Sequence, residues 1–161
     1  MKTFEVIEKE YEETLAKCNE IKKKDWRDEY SKLIKKQTIH FLIFTHLEVQ
    51  KEFGKITDAA TKELDRAIEA AQNRFNTTRD ALRERYKDAT DIWKIQEYDE
   101  EVKDAEIERD IAEILARKIY NSINRSARER YLTSKDKTDK KIKEIKMSDD
   151  QEKVQGDSRH S

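Results

Sequence analysis

Proline is absent from this chain, and glycine occurs only at Gly54 and Gly156. These are the residues that most strongly interrupt an α-helix, at about 3 and 1 kcal/mol relative to alanine. A chain that all but excludes them can run helix for very long stretches. Charged residues make up 44% of the 161 positions, against about 25% in an average globular domain, so long helices with solvated charged faces are predicted. The hydrophobic share of 35% is enough for one thin core. The reading is an all-α fold: an elongated antiparallel helical bundle or coiled coil of about four long helices, followed by a disordered polar C-terminal tail.

The first helix is predicted over 3–23, with Thr3 as N-cap and a stripe of Phe4, Ile7, Tyr11, Leu15, Cys18 and Ile21. The polar run Lys22, Lys23, Lys24, Asp25 predicts a turn. The second helix, over 26–53, begins amphipathic and becomes apolar nearly all round at Ile39, Phe41, Leu42, Ile43, Phe44 and Leu47, which predicts the centre of the core and a self-association surface. Gly54 followed by Ile56, Thr57 and Asp58 predicts a C-cap and a fresh start.

A third helix is predicted over 58–88. Apolar or small residues recur from Ala60 through Leu64, Ala67, Ala71, Phe75, Thr78, Leu82, Tyr86 and Ala89 to Trp93, nine steps averaging 3.67 residues. That phase fails near 88–98, where Asp88, Thr90 and Asp91 are capping residues. A turn there and a fourth helix over 91–132 are predicted, with one continuous helix over 58–132 as the alternative. In the fourth helix, Ile107, Ile111, Ile114, Leu115, Ile119 and Ile123 are assigned to the core, which the helix is predicted to leave near Lys118. The bundle domain is thus 1–132 and the charged disordered tail 133–161, too polar to offset its ordering entropy, so that disorder or a lone frayed helix is expected there.

The 35 basic and 36 acidic residues nearly cancel, so only local charge can recruit an anionic partner. Cys18 is the single cysteine, which removes intrachain disulfides and thiolate clusters and points to a reducing compartment. The acidic first 30 residues do not read as a secretory signal, and the greasiest run, from Ile39 to Val49, is too short for the roughly 20 residues of a membrane span. A cytoplasmic protein without transmembrane segment is expected.

No catalytic, cofactor or metal site is expected. His40 and His46 lie six residues apart, about 120° around a helix, and cannot share a metal from one face. The acids from Glu97 to Glu108 read as a solvated face, since unconfined carboxylates hold hard cations weakly. Trp26, Tyr30, Leu33 and Ile34, interleaved with lysines, form a basic amphipathic segment whose greasy side is expected to face the bundle.

The stretch from Arg117 to Lys146 carries eleven Lys or Arg against four acids. Lys118, Asn121, Arg125, Arg128 and Arg130 are the candidate anion- or partner-binding residues. The expected function is a non-enzymatic helical interaction module, an adaptor, scaffold or inhibitor that binds a protein partner and self-associates as a homo-oligomer. In composition the chain resembles many short phage-encoded regulators. The alternatives are a nucleic-acid accessory protein acting through residues 117–146, and a membrane-surface or metal-binding bundle.

Overall fold

A computed structural model describes residues 2–22 and 27–159. They form three helices, α1 (Phe4–Lys22), α2 (Arg27–Arg85) and α3 (Ile92–Arg159), and no strand is present among the described residues. The chain divides into two compact units. Unit one comprises Met1–Gly54 with Arg128–Ser161, and unit two comprises Lys55–Ala127.

Two of the predicted starts are capped as the sequence indicates. The Thr3 hydroxyl accepts from the Val6 amide at 3.4 Å, and the Asp91 carboxylate accepts from the Trp93 amide at 3.0 Å. Between α2 and α3 the chain turns over 86–91, which removes the alternative of one continuous helix. The turn predicted at 22–25 lies mostly outside the described residues, as does Trp26.

The predicted helix count is corrected from four to three because α2 passes straight through Gly54. One glycine costs a helix interior only about 1 kcal/mol, and flanking contacts outweigh it. Phe53, beside Gly54, stacks on Tyr131 at 5.3 Å between ring centroids. The predicted disordered tail is likewise corrected, since α3 continues to Arg159. Polarity misled the reading because this stretch is not a lone helix: Tyr131, Ser134, Thr138, Ile142 and Ile145 are half-buried at helical spacing.

In unit one, α1 and the first part of α2 run antiparallel. Phe4 and Tyr11 meet Phe44 at centroid distances of 5.3 and 6.3 Å, and Ile7, Thr14, Cys18 and His40 are buried. On α3, Tyr131 packs against His46 at 5.3 Å and Ser134 lies 3.3 Å from the His46 ring nitrogen. The apolar centre of α2 is therefore covered from two directions, with Ile39, Leu42, Ile43, Phe44 and Leu47 half-buried. Phe41 is the correction within that group: it is 54% exposed, on the same side of α2 as exposed Thr38, Thr45 and Glu48.

Unit two is an antiparallel hairpin of α2 and α3. Near the turn, Tyr86 donates to Glu101 at 2.8 Å, Arg85 donates to the same carboxylate at 3.2 Å, and Tyr86 meets Tyr98 edge-on. Further along, the Arg109 guanidinium covers the Phe75 ring at 4.5 Å. The buried apolar residues of this unit are Ala60, Ala71, Phe75, Leu82, Ala105 and Ala127. Most are alanines, which let two helices approach closely but bury little surface each. On α2 the predicted stripe holds at Ala60, Ala71, Phe75 and Leu82, whereas Ala67 and Thr78 are exposed, as is Trp93 at the start of α3.

Gly54 provides a direct check on α2. A Cβ built there would meet nothing within 4 Å, so Gly54→Ala adds helix propensity without a clash. The substitution is expected to raise stability by about 0.5–1 kcal/mol in denaturant unfolding. A loss of stability would mean that the backbone at residue 54 is not helical.

Candidate functional site

Two places in the molecule bring chemistry-bearing or unsatisfied groups together. The first is the buried contact between α1 and α2 in unit one. Thr14 donates its hydroxyl proton to the Glu10 carbonyl oxygen at 2.8 Å, so toward His40 Nδ1, at 3.3 Å, the same oxygen acts as acceptor. The other ring nitrogen, Nε2, lies 3.8 Å from the Glu10 carboxylate. Thr, His and Glu stand in the order of a hydrolytic triad. The hydroxyl proton, however, is committed to a backbone carbonyl and Thr14 is only 4% exposed, so a substrate cannot reach it. Nothing in this geometry generates a nucleophile.

The electrostatics of the cluster are those of packing. Burial lowers the His40 pKa below its ordinary value; Glu10 opposes the shift, while Lys36 and Lys2 add to it. The Glu10 carboxyl is held low chiefly by its hydrogen bond from Lys2, at 2.6 Å. Cys18 is buried and its thiol is pushed up by desolvation, the opposite of an activated thiolate. Among the described residues no group of three or more His, Cys, Asp or Glu side chains could hold a metal ion, and no helix is long and apolar enough to cross a membrane.

The second place is the outer face of α3 in unit two. Ile107, Ile111, Ile114, Leu115 and Ile119, assigned to the core from sequence, are 55, 51, 54, 54 and 62% exposed, and Ile123, assigned with them, is 38% exposed. The correction has a clear physical basis. α3 turns Tyr98, Val102, Ala105, Arg109, Ala112, Ala116 and Tyr120 toward α2, a set of half-buried or buried positions at steps of three and four. At 100° per residue the centre of that seam lies roughly 140° from the centre of the isoleucine stripe, so one helix cannot bury both against a single partner helix. Small size was the signal for the seam, and hydrophobicity alone selected the wrong face. Nor does α3 leave the packing near Lys118, because Ala127 is again buried, at 5% exposure.

Charge frames the stripe along the helix. Exposed Glu97, Glu100, Asp104 and Glu108 precede or border its N-terminal end, and exposed Lys118 and Arg125 lie on the same side of the helix at its C-terminal end. All of Lys118, Asn121, Arg125, Arg128 and Arg130 are exposed. The basic residues that follow, from Lys135 to Lys146, are exposed too, on a helix rather than a flexible arm.

The His40 contact has a measurable pH signature. A histidine whose folded pKa lies below its unfolded value of about 6.5 stabilises the fold above that pH, and this contribution is lost as the pH falls toward the folded value. Glu10, also lowered in the folded protein, acts in the same direction but only below about pH 4.3. Stability should therefore fall between pH 7.5 and 5.5, and His40→Gln should flatten the slope in that window. An unchanged slope in urea unfolding of the variant would remove His40 as its source.

No protein-family model matches the chain, and neither a curated protein nor a solved structure matches it.

Proposed function

We propose that the protein is a non-enzymatic helical interaction module that acts by binding another protein surface through the outer face of α3. The observation that carries this reading is the exposed stripe of Ile107, Ile111, Ile114, Leu115 and Ile119, set against a hairpin seam built mostly from alanine. Single exposed aliphatics are ordinary on a protein surface, but five in register on one helix face form a contiguous apolar patch. Fully burying such a side chain is worth about 1.5–3 kcal/mol, so covering the exposed half of each contributes roughly 1 kcal/mol. Five together supply on the order of 5 kcal/mol from one side of an interface. The spacing of i, i+4, i+7 and i+8 fits an apposed helix.

Ile111→Lys with Leu115→Lys tests the reading. Both positions are exposed and lysine is a good helix former, so helicity and unfolding free energy should stay within about 0.5 kcal/mol of the parent. Association with a protein partner, measured by affinity capture from the source cells after nuclease treatment, should be lost. Retained capture would move the binding surface elsewhere, and a collapse in stability would place the two residues in a core.

A second reading rests on the net excess of seven positive charges between Arg117 and Lys146, all eleven basic residues being exposed on α3. Such a helix suits nucleic-acid phosphates. Here Lys118, Arg125, Arg128 and Arg130 changed to Glu should abolish binding to duplex DNA or RNA, and the parent's affinity should fall steeply between 50 and 200 mM salt, by about 10³-fold if six phosphates are neutralised. Absence of binding by the parent at physiological salt would remove this reading.

A further inference from the structure

The apolar stripe on α3 is flanked by opposite charges at its two ends, and that polarity selects an occupant. We infer that the surface is covered by a second copy of this chain, with the two α3 helices antiparallel about a two-fold axis passing between Ile111 and Leu115. The inference rests on the reading of this face as the interaction surface and names its partner.

The argument is one of self-complementarity. The stripe from Ile107 to Ile119 is centred, along the helix axis, midway between Ile111 and Leu115. A two-fold axis at that point sets Ile111 of one copy against Leu115 of the other and brings Ile107 level with Ile119, while Ile114 comes close to its own counterpart beside the axis. The same operation carries the acidic end of one copy onto the basic end of its partner. Glu100 falls opposite Arg125 on the same flank, and Glu108 comes level with Lys118 across the interface. Asp104 falls opposite the neutral Ser122. All six of these residues are exposed on α3. A parallel arrangement would set Glu100 on Glu100, Asp104 on Asp104 and Arg125 on Arg125, like charges beside an apolar strip from which water has been excluded.

The partner's chemistry also follows from what the hairpin lacks. Unit two buries Phe75 and Leu82 together with alanines, while the five larger aliphatics of the stripe stay outside. Two hairpins joined through their α3 faces turn two thin seams into one layered arrangement, with the larger side chains at its centre.

The experiment uses the full chain and reads both mass and geometry. Light scattering should give twice the chain mass for the parent. Lys118→Glu with Arg125→Glu, which makes both ends acidic, should give a single-chain mass with unchanged helicity. Glu100→Lys with Glu108→Lys, which makes both ends basic, should do the same, and an equimolar mixture of the two variants should return to twice the chain mass. For geometry, Gln96→Cys in a Cys18→Ala background carries a spin label at the exposed N-terminal end of the stripe. Its distance to the label on the second copy should be about 50 Å, twice the 17-residue offset from the axis at 1.5 Å per residue.

A separation below about 20 Å, corresponding to side-by-side parallel helices, overturns the inference, as does a mixture that stays at single-chain mass. A parent that is monomeric at all concentrations also overturns it. If Ile111→Lys with Leu115→Lys still abolishes capture of another protein in that case, the interaction face stands and only its occupant is wrong. If those substitutions change nothing, both fail.

Discussion

The contact between α2 and α3 in unit two is lined by alanine at Ala60, Ala71, Ala105, Ala112, Ala116 and Ala127, and the rest of that unit follows from it. Alanine side chains leave the two backbones free to approach, and they cost no rotamer entropy in a helix. They also bury little apolar surface, about one methyl each, so the hairpin needs its few larger members. Phe75 is the largest of these, and its ring is covered by the guanidinium groups of Arg79 and Arg109, at 5.6 and 4.5 Å. A seam that spends its contact surface on small residues leaves the aliphatics of α3 on the opposite side of the helix. The exposed apolar stripe on α3 is thus a direct consequence of the way the hairpin closes.

Unit one solves the same problem with different side chains. There α2 is apolar through most of its circumference, and α1 and α3 approach it from two directions, through Phe4, Tyr11 and Thr14 on one and Tyr131 and Ser134 on the other. The polar groups inside these contacts are matched to one another. His40 meets the Thr14 hydroxyl, and His46 lies beside Ser134. Burial lowers the pKa of His40, which keeps it neutral near pH 7 and makes the first contact sensitive to mild acid.

Much of the architecture was legible in the residues themselves. The absence of proline and near-absence of glycine made long helices readable, because these two residues interrupt a helix most strongly. Thr3 and Asp91 marked their caps, and the loss of phase near 88–98 together with the capping residues Asp88, Thr90 and Asp91 indicated the turn, because a capping side chain and a broken period act within a few residues. The α1 stripe and the α2 stripe at Ala60, Ala71, Phe75 and Leu82 were readable for the same reason: each is a periodic feature of a single helix.

Tertiary structure decided what a single helix cannot encode. Gly54 stays helical because neighbouring contacts outweigh a local cost of about 1 kcal/mol, and those contacts join residues as far apart as Phe53 and Tyr131. The polar segment after Leu132 is helical because it has packing that its own composition does not reveal. Phe41 is exposed although its neighbours are covered, since only two sides of α2 there receive a helix. On α3 the chain offers two stripes, one of small residues and one of isoleucine and leucine, and both satisfy helical periodicity. Sequence determined that both exist. Which of them meets α2 depended on the complementary surface across the hairpin, where closeness of approach favours alanine, and that choice left the larger aliphatics outside.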